Sequence, residues 1–328
     1  MAQPQEPQTP HDAVFKKVFG KPVVAAEFFQ AVLPPSLAQE IDWANLTLER
    51  ESFVDEELLP SASDLLFSTR MGDESALLYC LFEHQSTPDA RMPLRLLGYM
   101  NRIWDRLLAN GQAQPDQLPP IIPVVLFQGP RSWQPSTRFI DSLNVPHNVL
   151  HEAQRYLVDF EYALVNLSDW DPAPFQGHVF LQGVLAILKA VRDGRVDEVA
   201  PVLFPVMGEV LSRSKATGIL EWILYYVVKE GPEPLFKEMR RSLRATQGSN
   251  VEKRMMTKFA QQILERGEDR GEVKGLREAV IIFLQTRFGK IPADIREKIH
   301  AVDSRERLIQ LNREACQSNS LDEFKEHL

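Results

Sequence analysis

The chain has 328 residues, 44% hydrophobic and 25% charged, with a formal net charge of −8. At ~100–200 residues per domain this is about two domains' worth, too apolar for a disordered chain and too acidic for a uniformly basic nucleic-acid binder. Its two cysteines, Cys80 and Cys316, exclude a disulfide scaffold and a cysteine-based zinc site and fit a reducing compartment.

Apolar residues at helical spacing (Val14, Phe15, Val18, Phe19, then Phe28, Phe29, Val32) predict a helix from Asp12 to about Leu33. Asp12 can cap it and Pro34-Pro35 ends it. Leu46–Val54 is strand-like. Ser63–Met71 and Ser75–Gln85 are apolar runs separated by Gly72-Asp73, and glycine at the first turn position suits a type II′ hairpin. Pro93–Leu108 reads as an amphipathic helix, Pro120–Gln128 as a buried strand, and Phe160–Leu167 as a further strand. From Gly177 onward only helices are predicted: Val179–Val191, Val196–Leu211, Gly218–Lys229, Val251–Leu264, Leu276–Phe288 and shorter ones after Pro292. The order is αβββαβ followed by an all-helical half, which argues α/β or α+β rather than a doubly wound sheet. No apolar run reaches the ~20 residues of a membrane helix; the best, Ile219–Val228, is short and contains Glu221. Met1–Pro10 is polar and is no secretory signal. A cytoplasmic protein without a membrane partner is expected.

Charge is uneven. Positions 1–200 carry −11, positions 201–328 carry +3, and positions 51–100 alone carry −6. An acidic concentration is either a solvated face or a cation site, and local geometry must decide. Side chains two apart in a strand share a face. A two-residue turn at 72–73 pairs Met71 with Glu74 and places Asp64 opposite Leu81, with Glu83 its diagonal neighbour at roughly 7–8 Å on the same face. Gln85 follows on that face, and His84 points away. Two converging carboxylates suit magnesium, which takes one or two of them and completes its shell with water and phosphate. Gln85 cannot act as a base but could orient water or donate to a phosphate oxygen. In the following helix Arg91, Arg95, Arg102 and Arg106 fall within about 60° of arc. Such a stripe is either a solvated face or a row of phosphate contacts.

The ordered series His11-Asp12-Ala13-Val14-Phe15-Lys16-Lys17, Ser52-Phe53-Val54-Asp55-Glu56, Ser63-Asp64-Leu65-Leu66, Phe82-Glu83-His84-Gln85-Ser86, Met92-Pro93-Leu94-Arg95-Leu96-Leu97-Gly98-Tyr99-Met100 and Pro120-Ile121-Ile122-Pro123-Val124-Val125 resembles the bacterial recombination-promoting nuclease (Rpn) family, also described as YhgA-like transposases. The resemblance spans about residues 10–170. It implies a PD-(D/E)xK, restriction-endonuclease-like core and a metal-dependent DNA endonuclease using Mg²⁺ (or Mn²⁺), acting in recombination or mobile-element biology. Asp64 and Glu83 match the family's metal ligands, and Gln85, with them catalytic, stands where the wider superfamily has lysine. Ser63 replaces the nominal proline. DNA is the expected partner, with Lys16, Lys17, Arg91, Arg95, Arg102 and Arg106 as candidate contacts. Because glutamine supplies no positive charge to a transition state, the alternative is an inactive nuclease-fold scaffold that binds DNA or protein.

The expected domains are a nuclease-like domain over 1–175, a helical region over 176–265, and 266–328 as a Gly-repeat linker with a small C-terminal helical domain. Gly267, Gly271 and Gly275 recur every four residues, which either allows close helix approach or marks a flexible charged linker. A homo-oligomer, if formed, would use the helical half. No Gly-rich phosphate loop is present, so no nucleotide cofactor is expected.

Overall fold

A break at Gly20-Lys21 divides the predicted first helix in two: α1 spans Pro10–Phe19 and α2 spans Pro22–Val32. Proline lacks an amide hydrogen and is tolerated in a helix's first turn, so Pro22 ends the run before it and starts a new one. The Gly20 amide closes α1 on the Lys16 carbonyl at 3.1 Å. A Cβ there would stand 2.3 Å from that same oxygen, so the turn requires glycine. Asp12 therefore lies in the first turn of α1, where it complements the helix dipole rather than capping the end. The computed structural model describes residues 10–49, 62–83, 87–169, 175, 177–194, 217–270 and 273–328.

After the short α3 (Pro35–Ala38) comes β1, which is only Thr47–Leu48, while most of the rest of the predicted 46–54 strand lies outside the described residues. The hairpin follows with β2 (Ala62–Met71) and β3 (Glu74–Glu83). Gly72 has φ +59°, and among the described residues none other than glycine has positive φ. That pattern fits a II′ turn and not a I′ turn, which would need positive φ at Asp73 as well. α4 (Met92–Ala109) then carries the chain to β4 (Ile121–Phe127), parallel to β3. α5 (His147–Ala153) precedes β5 (Ala163–Asn166), parallel to β4. The result is a five-stranded mixed sheet in the order β1-β2-β3-β4-β5. β4 is an unbroken apolar run because both of its faces are covered.

The two faces of the sheet are built differently. On one, Leu66, Leu77, Tyr79, Leu81 and Val125 pack under Met92, Leu96, Tyr99, Met100 and Ile103 of α4. On the other, aromatic rings join α1 and α2 to the strands. Phe15 stacks on Phe82 at 4.8 Å, and Phe29 meets Phe67 edge-on at 5.7 Å. α6 (Val179–Asp193) belongs to this same compact unit, Met1–Asp193, through the Gln128 side chain, which donates to the Leu188 carbonyl at 2.5 Å.

The second unit, Gly194–Leu328, is helical in its described residues: α7 (Thr217–Glu230), α8 (Glu233–Gln247), α9 (Ser249–Arg270), α10 (Val273–Phe288), α11 (Ala293–His300), α12 (Arg305–Gln317) and α13 (Leu321–Lys325). The predicted helix at 196–211 lies outside the described residues. The charged Gly-repeat segment, read from sequence as a linker, falls within α9 and α10 except for 271–272, which are not described, and α9 packs on α10 inside one unit. Leu276, Val280 and Phe283 of α10 are buried, as are Leu308 and Leu311 of α12, and Asn312 donates to the Leu276 carbonyl at 2.9 Å. Among the described residues no helix is long and apolar enough to cross a membrane. Cys80 is buried and Cys316 exposed.

Phe15 is fully buried between Phe19 and Phe82. Phe15→Ala should cost about 3–5 kcal/mol of first-unit stability, the range for emptying a buried aromatic site, read as a lowered urea midpoint. Phe15→Leu should lose markedly less.

Candidate active site

The β2/β3 register places Asp64 opposite Leu81 and Ala62 opposite Glu83. Directly opposed residues share a face, so Asp64, Tyr79, Leu81 and Glu83 all lie on the α4 side of the sheet. This is the juxtaposition that the hairpin arithmetic predicts. It sits at the end of β3 where β4 also terminates, the Gln128 amide donating to the Glu83 carbonyl at 2.9 Å.

The two acids have different environments. Glu83 is fully buried, and its Oε2 accepts from Arg95 Nη1 at 2.8 Å. The same Nη1 reaches Asp89 Oδ2 at 3.0 Å, and the Arg95 side chain is only 10% exposed. Burial alone would lower the Arg95 pKa, but its hydrogen bond to Glu83 and the neighbouring Tyr99 phenol and Glu83 charge raise it above the usual value. Asp89 is buried enough to resist ionisation. The Arg91 amide, at 2.9 Å from its Oδ1, and the Arg95 guanidinium nonetheless hold its carboxyl below the ordinary range. Asp64 goes the other way. Burial pushes its pKa up, and the Lys16 charge and the Tyr79 hydroxyl only partly offset this. Tyr79 is itself buried, its hydroxyl makes no hydrogen bond of ordinary geometry, and burial together with the Asp64 charge holds its pKa well above the usual phenol value.

The remaining predicted residues are placed as follows. Gln85 and His84 lie outside the described residues. The arginines of α4 do not form one solvent-facing row. Arg95 turns inward to Glu83, Arg102 is half-buried with an unpartnered Nη1, Arg106 is half-buried, and Arg91, just before α4, is exposed at 3.6 Å from Asp89. Lys17 is exposed, and Lys16 is half-buried close enough to Asp64 to influence it. Among the described residues there is no group of three or more His, Cys, Asp or Glu arranged to hold a metal. The pair Asp64 and Glu83 still suits magnesium, which needs no more than two carboxylates from protein. The raised pKa of Asp64 marks a carboxylate whose charge the fold under-compensates, and a cation would relieve it.

The family model described as "Putative transposase, YhgA-like" matches residues 9–217. The chain belongs to this family. Recombination-promoting nuclease RpnD of Escherichia coli O157:H7 is 30% identical over 254 residues, covering 76% of this chain and 92% of that protein. The inactive recombination-promoting nuclease-like protein RpnE of Escherichia coli K12 is 26% identical over 278 residues, covering 83% and 87%. Recombination-promoting nuclease RpnC of the same strain is 36% identical over 121 residues, covering 37% and 39%. No solved structure matches the chain.

In this YhgA-like family member, two residues near the acids escape a sequence reading. Gln128 follows β4 and is buried; its Oε1 lies 3.3 Å from His11 Nδ1 and accepts from it in the tautomer that carries the proton there, while its backbone holds Glu83. A lone polar residue closing an apolar strand was the available signal. Asp89 reads as a loop acid, and only the fold shows it sharing Arg95 with Glu83.

A carboxyl with a raised folded pKa stabilises the fold least when ionised, so its penalty is absent at acid pH, sets in as pH rises past the ordinary unfolded value and is complete above the folded one. Asp64→Asn should therefore melt higher than wild type at neutral pH, each kcal/mol appearing as about 2–4 °C. The difference should vanish as pH falls below the ordinary Asp range of ~3.9. Mg²⁺ should raise the melting temperature of wild type and not of Asp64→Asn. Calorimetry across pH checks all three.

Proposed function

We propose that this chain is a divalent-metal-dependent DNA endonuclease with a restriction-endonuclease-like PD-(D/E)xK core, acting in DNA recombination in the cytoplasm. The observation that carries the reading is the placement of Asp64 and Glu83 on one face at the end of adjacent strands, one under-compensated and the other matched by Arg95. Family membership and relatives named as recombination-promoting nucleases support it.

Asp64 and Glu83 would hold Mg²⁺ or Mn²⁺, which when bound supplies a Lewis acid for the phosphate and lowers the pKa of a bound water. The chain's own groups set the frame. Arg95 gives Glu83 an ion-pair partner in a fully buried position, where a buried charge needs one. Tyr79, fully buried on the same face, lies close enough to Asp64 for the two to influence each other's ionisation. Lys16 brings positive charge near Asp64, which would favour a phosphodiester oxygen there. Gln85, two residues beyond Glu83, is assigned the orientation of the attacking water. Hydrolysis forms one P–O bond from water and breaks one ester P–O bond, the alkoxide that leaves taking up a proton.

A second reading is favoured by one specific feature. Arg95 already satisfies Glu83, which suits a nuclease fold that binds DNA without cutting it, and a relative named as inactive aligns over most of its length. Plasmid nicking decides between them. Under the endonuclease reading, wild type converts supercoiled plasmid to open circles with Mg²⁺ or Mn²⁺ and not with EDTA. Asp64→Ala and Glu83→Gln should each fall by about 10²-fold or more, as expected for losing a charge-stabilising group. Nicking that persists in Asp64→Ala would sink the assignment, and DNA binding without nicking would leave the scaffold.

A further inference from the structure

The helical unit holds a charge arrangement that the nuclease reading does not use. Between α8, α9, α10 and the start of α11 lies a cavity of about 660 Å³. Lys237, Arg240, Arg244, Lys253, Lys290 and Arg296 line it, against one acid, Glu252. Arg287 is a seventh basic lining residue, but its Nη1 donates to the Ala315 and Cys316 carbonyls at the end of α12 and is committed there. The single acid is already paired: buried Glu252 holds the Arg240 Nε at 2.7 Å and Nη2 at 2.5 Å. Arg244 Nη2 donates to Ser249 Oγ at 3.2 Å. These contacts fix two of the arginines in position without cancelling the charge around the cavity. Gly289, at φ +85°, ends α10 and lets the chain turn so that Gly289, Lys290 and Ile291 close one wall.

Clustering like charges costs Coulomb energy that a chain of net charge −8 has no need to incur for solubility. A ligand of opposite sign recovers it. Arg287 and the Arg240–Glu252 pair are committed, and Lys237 and Arg296 have contacts of their own, so the excess rests on Arg244, Lys253 and Lys290; one phosphate group, at roughly −1.5 to −2, would leave part of it unmatched. A strand carrying one charge per nucleotide matches it across several phosphates. We propose that this cavity in the helical unit binds the phosphodiester backbone of a nucleic-acid strand, as a contact separate from the Asp64/Glu83 site. The proposal goes beyond the endonuclease reading and stands without it.

The test uses the full chain carrying Asp64→Asn, in EDTA, so that binding is read without hydrolysis. Fluorescence anisotropy follows a labelled single-stranded oligonucleotide over a series of salt concentrations. Arg244→Gln/Lys253→Gln/Lys290→Gln removes three exposed charges from the cavity, and Lys298→Gln removes one that does not line it. The triple variant is expected to bind about tenfold more weakly or worse, and its log K against log salt slope should flatten by roughly two, the counterion count for three single-strand phosphate contacts. Lys298→Gln should differ little from its parent. Circular dichroism and melting are expected to be unchanged in both. A triple variant that stays folded with the affinity and slope of Lys298→Gln overturns the proposal. So does competition by inorganic phosphate as effective as that of the unlabelled oligonucleotide, with a slope of about one contact, because the cavity would then be a site for a single anion. Because the readout needs no metal, absent nicking with a flattened slope would count against the endonuclease alone.

Discussion

Everything at the acidic site depends on strand register. The side-chain period of a strand is two, so a slip of one residue between β2 and β3 would send Asp64 to the aromatic face under α1, away from Glu83. Ten consecutive pairs from Ala62↔Glu83 to Met71↔Glu74 fix that register, and the two-residue turn with Gly72 at positive φ allows no extra residue. The different packing on the two faces makes a slip costly: it would exchange the phenylalanines that meet α1 and α2 with the residues that α4 covers. The core therefore stabilises the site by its pattern, without any contact to the carboxylates.

Arg95 links that register to electrostatics. It comes from the first turns of α4, whose apolar side is buried on the same sheet face, so packing of the helix delivers its guanidinium to Glu83. In a buried ion pair the cost of removing either member exceeds the pair's own net contribution. Among the described residues Asp64 has no such arginine, and Lys16 and Tyr79 offset its burial only in part. One acid is anchored by an arginine and the other is not, and the difference follows from where one helix begins.

Most of the first unit was legible in the sequence because its signals are local. The hairpin register followed from a two-residue glycine turn and alternation, and β4 from an unbroken apolar run. The first helix was misjudged because apolar spacing continues across Gly20 and Pro22, and a period count does not see the missing amide of a proline. The arginine stripe of α4 was read correctly in angle, yet angle alone does not say which edge of a helix meets a buried acid. Asp89 was invisible for the same reason: its meaning is a contact across the chain. The basic cavity of the second unit escaped because its lysines and arginines come from four helices, and no window of sequence contains them together. Only the sign of the second half's net charge pointed toward it.

The two thiols divide the molecule in a way useful to an experimenter. Cys80, sealed in β3, has its ionisation suppressed by burial, whereas Cys316 is open to solvent at the end of α12. A maleimide dye would therefore attach to the helical unit alone without any engineered cysteine. It would sit on the residue whose carbonyl receives Arg287, at one rim of the basic cavity. The natural chain thus arrives with its own spectroscopic reporter beside the surface where a polyanion would settle.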